Sequence, residues 1–368
     1  MSDLTGKPLL LQLNFPFCAR FCSHCAHPGS RYDAGVVKAH AQAMVEEIKA
    51  VAAEEAEGRA VTAVSLEGWP GLTAADDLQE LLRTVRRSFT LAEDVQIGAE
   101  TVPGDYSQAF MRKLRDNGVD LWTVNLLTAD YEEHRLLERP YRFDALTMVD
   151  TAIRTFEMRD LSFRLLYGIP GQSPLSWERT LDKALAYEPG HLTLEPLQLI
   201  PGTRLHEKCR AGEVAACPVE EKVSLCEQAK AKLEKLGYRQ YTIYDFALPG
   251  HENRFRQELL AGTDRLGFGY QASSCVDGLC YTNGHGLAEY VAHSTELEVI
   301  ADRVSRLSGE GQALRLAVGR LERLEAVEGT ALGGHLAPLL ESGALENTGE
   351  GCRLTPLGIA SGALSRLR

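Results

Sequence analysis

The sequence predicts an α/β fold, a partial (β/α)6 barrel of the TIM type, with an extension of its sheet and a small winged-helix-like unit at the C-terminal end. Three observations carry this. Short apolar runs of strand length alternate with helical patterns six times before Leu236. Each repeat is long enough for a crossover helix, which parallel neighbours require. The pattern then changes after Leu236 and again near Ala301.

Taken in order, Leu9–Phe15 reads as a strand and Gly35 to about Ala56 as a helix rich in Ala, Val and Glu. The same pairing recurs as Val61–Glu67 with Ala74–Phe89, Val95–Glu100 with Tyr106–Asn117, and Val119–Leu126 with Asp144–Met158. Leu161–Tyr167 pairs with Leu175–Tyr187, and His191–Leu199 leads towards the helical Val219–Leu236. Gly237–Phe246 alternates like an edge strand, and the Gly-punctuated Leu266–Ser274 reads as more of the same extension. Beyond Ala301 the chain is rich in Leu and Arg, with two or three short helices and a hairpin centred on Gly349–Gly351. The expected division is residues 1–249 for the barrel with its extension strand, 250–300 for a connecting segment and 301–368 for the winged-helix-like unit.

With 44% apolar and 24% charged residues the 368-residue chain has ordinary folded composition, and no run approaches the ~18 apolar residues of a membrane helix. Fifty-one acidic against 39 basic side chains give a net charge of −12, which repels nucleic acid and favours a packing lid over a DNA reader for the C-terminal unit. The opening MSDLTGKPLL fits neither a secretory signal nor a transit peptide. The expectation is a cytoplasmic monomer acting on a small molecule, with neither nucleic acid nor membrane as a partner.

Nine cysteines, an odd number in a chain expected to be cytoplasmic, argue against a disulfide framework. Cys18, Cys22 and Cys25 form a Cys-x3-Cys-x2-Cys loop directly after the first strand, while Cys275 and Cys280 are the other close pair and read as ordinary thiols. Three thiolates suit a [4Fe–4S] cluster that leaves one iron open to a chelating amino and carboxylate group. Zinc would want a fourth ligand; His24 and His27 are either candidates for it or mere loop polarity. At the same face, where strands end and helices begin, lie Asn14, Glu67, Glu100, Asn125, Arg164, Tyr167 and Glu195.

The cysteine loop, preceded by Asn14-Phe15-Pro16-Phe17, resembles that of the radical S-adenosylmethionine (SAM) superfamily, in the branch of oxygen-independent coproporphyrinogen oxidase, haem chaperones and class C radical methyltransferases. Tyr167–Ser173, Gly237-Tyr238, Asp245–Gly250, Leu266–Gly269 and Leu354–Gly358 resemble further segments of that branch in the right order. The resemblance implies a [4Fe–4S] cluster on Cys18, Cys22 and Cys25, with SAM held near Phe17, Gly68, Glu100 and Arg139. It also implies an electron donor such as a flavodoxin or ferredoxin, and reductive cleavage of SAM to a radical that abstracts hydrogen. In class C a second SAM is proposed to supply a methyl carbon.

Several positions depart from the branch. Gln12 and Asn14 stand for Tyr-x-His, Glu67-Gly68-Trp69-Pro70-Gly71 for a Gly-Gly-Gly-Thr-Pro turn, Leu127 for a Gln and Arg164 for an Asp. Glu67 and Arg164 are therefore the candidate catalytic residues, unless they simply pair across the strands. Trp69 either offers a stacking face to the pocket or packs beneath the rim. Because the substrate-facing positions have drifted while the cofactor positions remain, the expected activity is transfer of a methyl or methylene carbon to an unsaturated or aromatic carbon of a specialised metabolite. The alternatives are a haem-binding chaperone and a coproporphyrinogen oxidase-like enzyme.

Overall fold

A computed structural model describes residues 6–26, 29–104, 107–142, 146–156 and 160–367. The six predicted strands are present as β1 Lys7–Phe15, β2 Arg59–Gly68, β3 Leu91–Thr101, β4 Leu121–Leu127, β5 Asp160–Tyr167 and β6 His191–Pro196. They lie side by side in sequence order, every neighbouring pair parallel. A seventh parallel strand, Asp264–Phe268, joins the free edge of β1, with Leu10 opposite Arg265. Antiparallel strands extend both sides to make an open sheet of twelve strands among the described residues, a partial rather than a closed barrel.

Alternation decides what each face of this sheet meets. On β1, Leu9, Leu11, Leu13 and Phe15 enter the main hydrophobic core, beneath helices such as Ala34–Glu55, Ala75–Ser88 and Gln108–Asp116. The intervening Gln12 and Asn14 point into the barrel, where they meet Ser65, Glu67, Glu100, Thr123, Arg164, Thr193 and Glu195 from the other strands. Leu10, Ala63 and Phe255 form a small apolar cluster at the closed end, so the helix Arg254–Leu260 acts as a floor.

Three expectations are corrected. The single edge strand over Gly237–Phe246 is two short strands, Arg239–Gln240 and Asp245–Ala247, because the Thr242 hydroxyl accepts from the Asp245 and Tyr244 amides and turns the chain between them. Ala301–Arg306 is the outer strand of the main sheet, and the helix that opens the C-terminal cluster begins only at Gly309. That cluster packs Leu321, Val327, Leu332 and Leu345 around the predicted hairpin, Leu345–Thr348 with Gly351–Leu354. Finally, Cys275 and Cys280 are not separate thiols. They face each other on adjacent antiparallel strands and are joined as a disulfide.

Candidate active site

The cysteine loop leaves β1 at the mouth of the barrel. Its start is held by two-residue pairing of Phe17–Cys18 with Ser30–Arg31, and its middle by Ser23, whose amide donates to Leu137 O at 2.9 Å and whose hydroxyl donates to Leu136 O at 2.7 Å. Arg204 donates to Phe21 O at 2.7 Å from the other side. Cys18 and Cys22 are half-buried and Cys25 is exposed. Burial, then the neighbouring Cys25 and Cys22, push the Cys18 thiol up to about 11, so the three sulfurs share one electrostatic neighbourhood.

Arg139 reaches this loop from beyond β4. One guanidinium nitrogen donates to Cys22 Sγ at 3.3 Å and another to Asn125 O at 2.9 Å, while the group lies 5.1 Å from the centre of the Tyr141 ring. Asn125 in turn donates to Glu100 Oε2 at 3.3 Å. Glu100, Asn125, Arg139 and Cys22 therefore form one continuous path from strand end to cysteine loop. The sequence identified its members separately; the structure brings them together.

Arg164 does not pair with Glu67. Its guanidinium contacts Glu100 at 2.6 Å and Glu195 at 3.7 Å, and although burial works against its charge, Glu100, Glu195, Glu67 and Asp245 more than offset this and hold it protonated. Glu67 is occupied instead by Gln12 Nε2 at 2.5 Å and the Ser65 hydroxyl at 3.1 Å. Gly68 follows with φ of +86°, and a Cβ there would lie 2.4 Å from Phe15 O, so the chain turns where only glycine fits against β1. Trp69 is buried, its amide bonded to Phe15 O at 3.0 Å, and its ring is not among the cavity-lining groups. It belongs beneath the rim.

Other candidates also turn away. The Phe17 ring is buried edge-on against His40 at 5.1 Å, which leaves only its backbone at the loop. Tyr167 packs outward beside Trp177. Leu127 ends β4 with φ of +63° and joins an apolar cluster with Leu137, Leu166 and Ile169. His24 is half-buried near Arg139, and desolvation chiefly lowers its pKa to about 4; His27 lies outside the described residues.

Below the loop the barrel encloses a polar cavity of about 510 Å³, a size ordinary for small-molecule sites. Its wall includes residues that sequence reasoning did not single out: Thr193, His191, Asp245, Arg256 and Arg265. A basic residue interrupting the strand pattern of Asp264–Phe268 was the available signal for the last. His191 hydrogen-bonds Ser162 and Tyr241 at 2.7 Å each, and Asp245 accepts from Thr193 at 2.8 Å and Thr242 at 2.6 Å. Around mouth and cavity, Gln12 Oε1, His24 Nδ1, Asn125 Oδ1, Arg139 Nε, Arg164 Nε and Arg265 Nε are buried without a hydrogen-bond partner. Such atoms are rare in folded proteins, and their grouping here marks a surface built to receive polar ligand atoms.

Residues 15–184 match the radical SAM superfamily. The chain carries a radical SAM domain. It is 26% identical over 278 residues to the haem chaperone HemW of Synechocystis sp., covering 74% of this chain and 67% of that protein. It is 25% identical over 307 residues to the oxygen-independent coproporphyrinogen III oxidase of Pseudomonas aeruginosa, covering 78% of this chain and 66% of that protein. The solved coproporphyrinogen III oxidase (HemN) of Escherichia coli shares the fold, with a TM-score of 0.79 at 21% identity over 100% of this chain and 90% of that one.

These relatives overturn the expected activity. Haem chaperones and coproporphyrinogen oxidases, not methyl or methylene transferases of specialised metabolites, are what the chain resembles. Glu67 is held by Gln12 and Ser65, Arg164 by Glu100 and Glu195, and Trp69 packs beneath the rim, and none of these contacts specifies methyl donation. The second SAM, invoked only as a methyl donor, loses its motive as well.

A radical SAM domain uses a [4Fe–4S] cluster and SAM. The residues present fit both. Cys18 feels both Cys25 and Cys22 across one loop, and a cubane takes such thiolates at separate corners. The buried Arg139 Nε without a partner, beside a carboxylate-rich strand end, suits a ligand bearing both a carboxylate and hydroxyls.

Proposed function

We propose that this protein is a radical SAM enzyme acting on a carboxylated tetrapyrrole, in the manner of the coproporphyrinogen oxidase relatives. The observation that carries the reading is the polar barrel cavity opening directly beneath the three-cysteine loop. In this reading Cys18, Cys22 and Cys25 hold the cluster, Glu100 receives ribose hydroxyls and Arg139 holds the carboxylate of SAM. Bound there, cluster and SAM supply reductive sulfonium cleavage. Gly68 lets the backbone approach the cofactor, while Phe17 contributes backbone alone. Arg164, fixed between Glu100 and Glu195, sets the position of Glu100 and keeps the wall from accumulating negative charge. Glu67, held by Gln12 and Ser65, faces the substrate space as a hydrogen-bond acceptor. An external one-electron donor is required to start the reaction, and a one-electron acceptor must take the electron that the substrate radical releases as it loses carbon dioxide to form the vinyl group.

A second reading, haem binding without turnover, is favoured by the names of several relatives. Reconstituted, reduced protein given SAM and coproporphyrinogen III should yield a decarboxylated product and 5′-deoxyadenosine. Stoichiometric haem uptake with no such product would replace the enzyme by the chaperone reading.

A further inference from the structure

The charged side chains of the cavity are matched almost completely among themselves. Arg164 contacts Glu100 and Glu195, and Arg256 contacts Glu322 at 3.2 Å and Asp245 at 3.7 Å. Glu67 spends its oxygens on Gln12 and Ser65. Arg265 differs: like Arg164 it lines the cavity with its Nε buried without a hydrogen-bond partner, but whereas Arg164 has two carboxylates beside it, no ion pair joins Arg265 to another described residue. Burial disfavours its charge, Glu67 supports it at a distance and the neighbouring Arg315 opposes it. Arg315 is itself turned to Cys275 Sγ at 3.4 Å and Thr263 O at 3.5 Å. An arginine keeps its proton under such conditions, so a planar fork of donors stands in the wall without its acceptor.

Register gives the depth of this fork. Arg265 is opposite Leu10, four residues below Asn14 at the mouth, and at ~3.3 Å per residue its backbone lies roughly 13 Å inside the barrel. The guanidinium is thus within reach of an acid arm hanging from a ring seated nearer the loop. We infer that Arg265 is a substrate-specificity residue, the receptor for one carboxylate arm of the ligand inside the barrel. This rests on the tetrapyrrole reading for the ring and on the unpaired fork for the arm. A bidentate carboxylate would satisfy both the charge and the orphaned donor, which no described residue does.

The test uses cluster-reconstituted protein, wild type, Arg265→Gln and Arg265→Lys, each checked for SAM binding. Affinity is read from the fluorescence of coproporphyrin III, with four free acids, and of its tetramethyl ester. Arg265→Gln should weaken the free acid ten-fold or more and leave the ester unchanged, with Arg265→Lys intermediate because it keeps charge without the fork. Equal affinity of wild type and both variants for coproporphyrin III overturns the assignment; should Arg265→Gln not fold, the Lys variant decides alone. If wild type binds neither porphyrin, the tetrapyrrole reading fails by itself. Succinate then judges Arg265: a larger melting-temperature rise for wild type than for the variants sustains the carboxylate receptor, and equal rises remove it.

Discussion

Replacing Glu47 by Gln should change how stability depends on pH. Glu47 sits fully buried on the helix Ala34–Glu55, accepting from Tyr290 OH at 2.6 Å, Asn283 Nδ2 at 2.6 Å and the Gly269 amide at 2.9 Å. These contacts tie the helix to the segment that meets Asn14, whose side chain donates to Tyr270 O at 2.8 Å, and so to the end of β1 before the cysteine loop. Burial dominates the hydrogen bonds and pushes its pKa from 4.5 up to about 7. The folded state then holds a proton that the unfolded chain has released, so this group's contribution is full below pH 4.5 and is lost as pH rises through about 7. At ~1.4 kcal/mol per unit, the loss is on the order of 3 kcal/mol. Buried His40, lowered to about 3, and His24 and His134, lowered to about 4, work oppositely, costing stability as pH falls below 6.5. The two effects are separated by subtraction. Urea unfolding followed by tryptophan fluorescence, on wild type and Glu47→Gln, should show the wild-type advantage falling by about 2 to 3 kcal/mol from pH 5 to pH 8. Parallel pH profiles would refute the reasoning.

Changing Cys18, Cys22 or Cys25 to Ala should abolish cluster binding by iron and sulfide analysis, whereas Cys275→Ser should leave it intact; a full cluster in any of the first three would break the assignment. Glu100→Gln and Arg139→Ala should each weaken SAM binding at least ten-fold by equilibrium dialysis with the fold retained by circular dichroism, and unchanged affinity would move the cofactor elsewhere. Gly68→Ala forces a Cβ against Phe15 O from a left-handed backbone, so a loss of about 1 to 3 kcal/mol in urea unfolding is expected, together with lower cluster occupancy because Phe15 leads into the loop. Wild-type stability and occupancy would contradict this.

Most of the barrel was legible because its signal is local. Alternation fixed β1 to β6 to within a few residues, and the strand-end rule found Glu67, Glu100, Arg164 and Glu195 before any contact was known. What was not legible depends on partners far apart in the chain. The stretch from Leu266 reads as sheet extension, but its place is not legible: Asp264–Phe268 pairs in parallel with β1, more than 250 residues earlier. In the sequence the partner weighed for Arg164 is Glu67 alone, and only the curvature of the sheet shows that Glu100 and Glu195 reach it while Glu67 is held by Gln12. Likewise the Gly237–Phe246 alternation resembled a strand because the Thr242 turn is made by a side chain, which periodicity does not register.

The most direct measurement of the account is the fate of hydrogen. Coproporphyrinogen III deuterated in its propionate arms is turned over anaerobically by reduced, reconstituted protein with SAM, and 5′-deoxyadenosine is weighed by mass spectrometry. A substrate carried in the cavity beneath the cysteine loop predicts deuterium in the 5′-deoxyadenosine from wild type and none of the nucleoside from Cys22→Ala. Wild-type 5′-deoxyadenosine without deuterium, beside unchanged coproporphyrinogen, would contradict it.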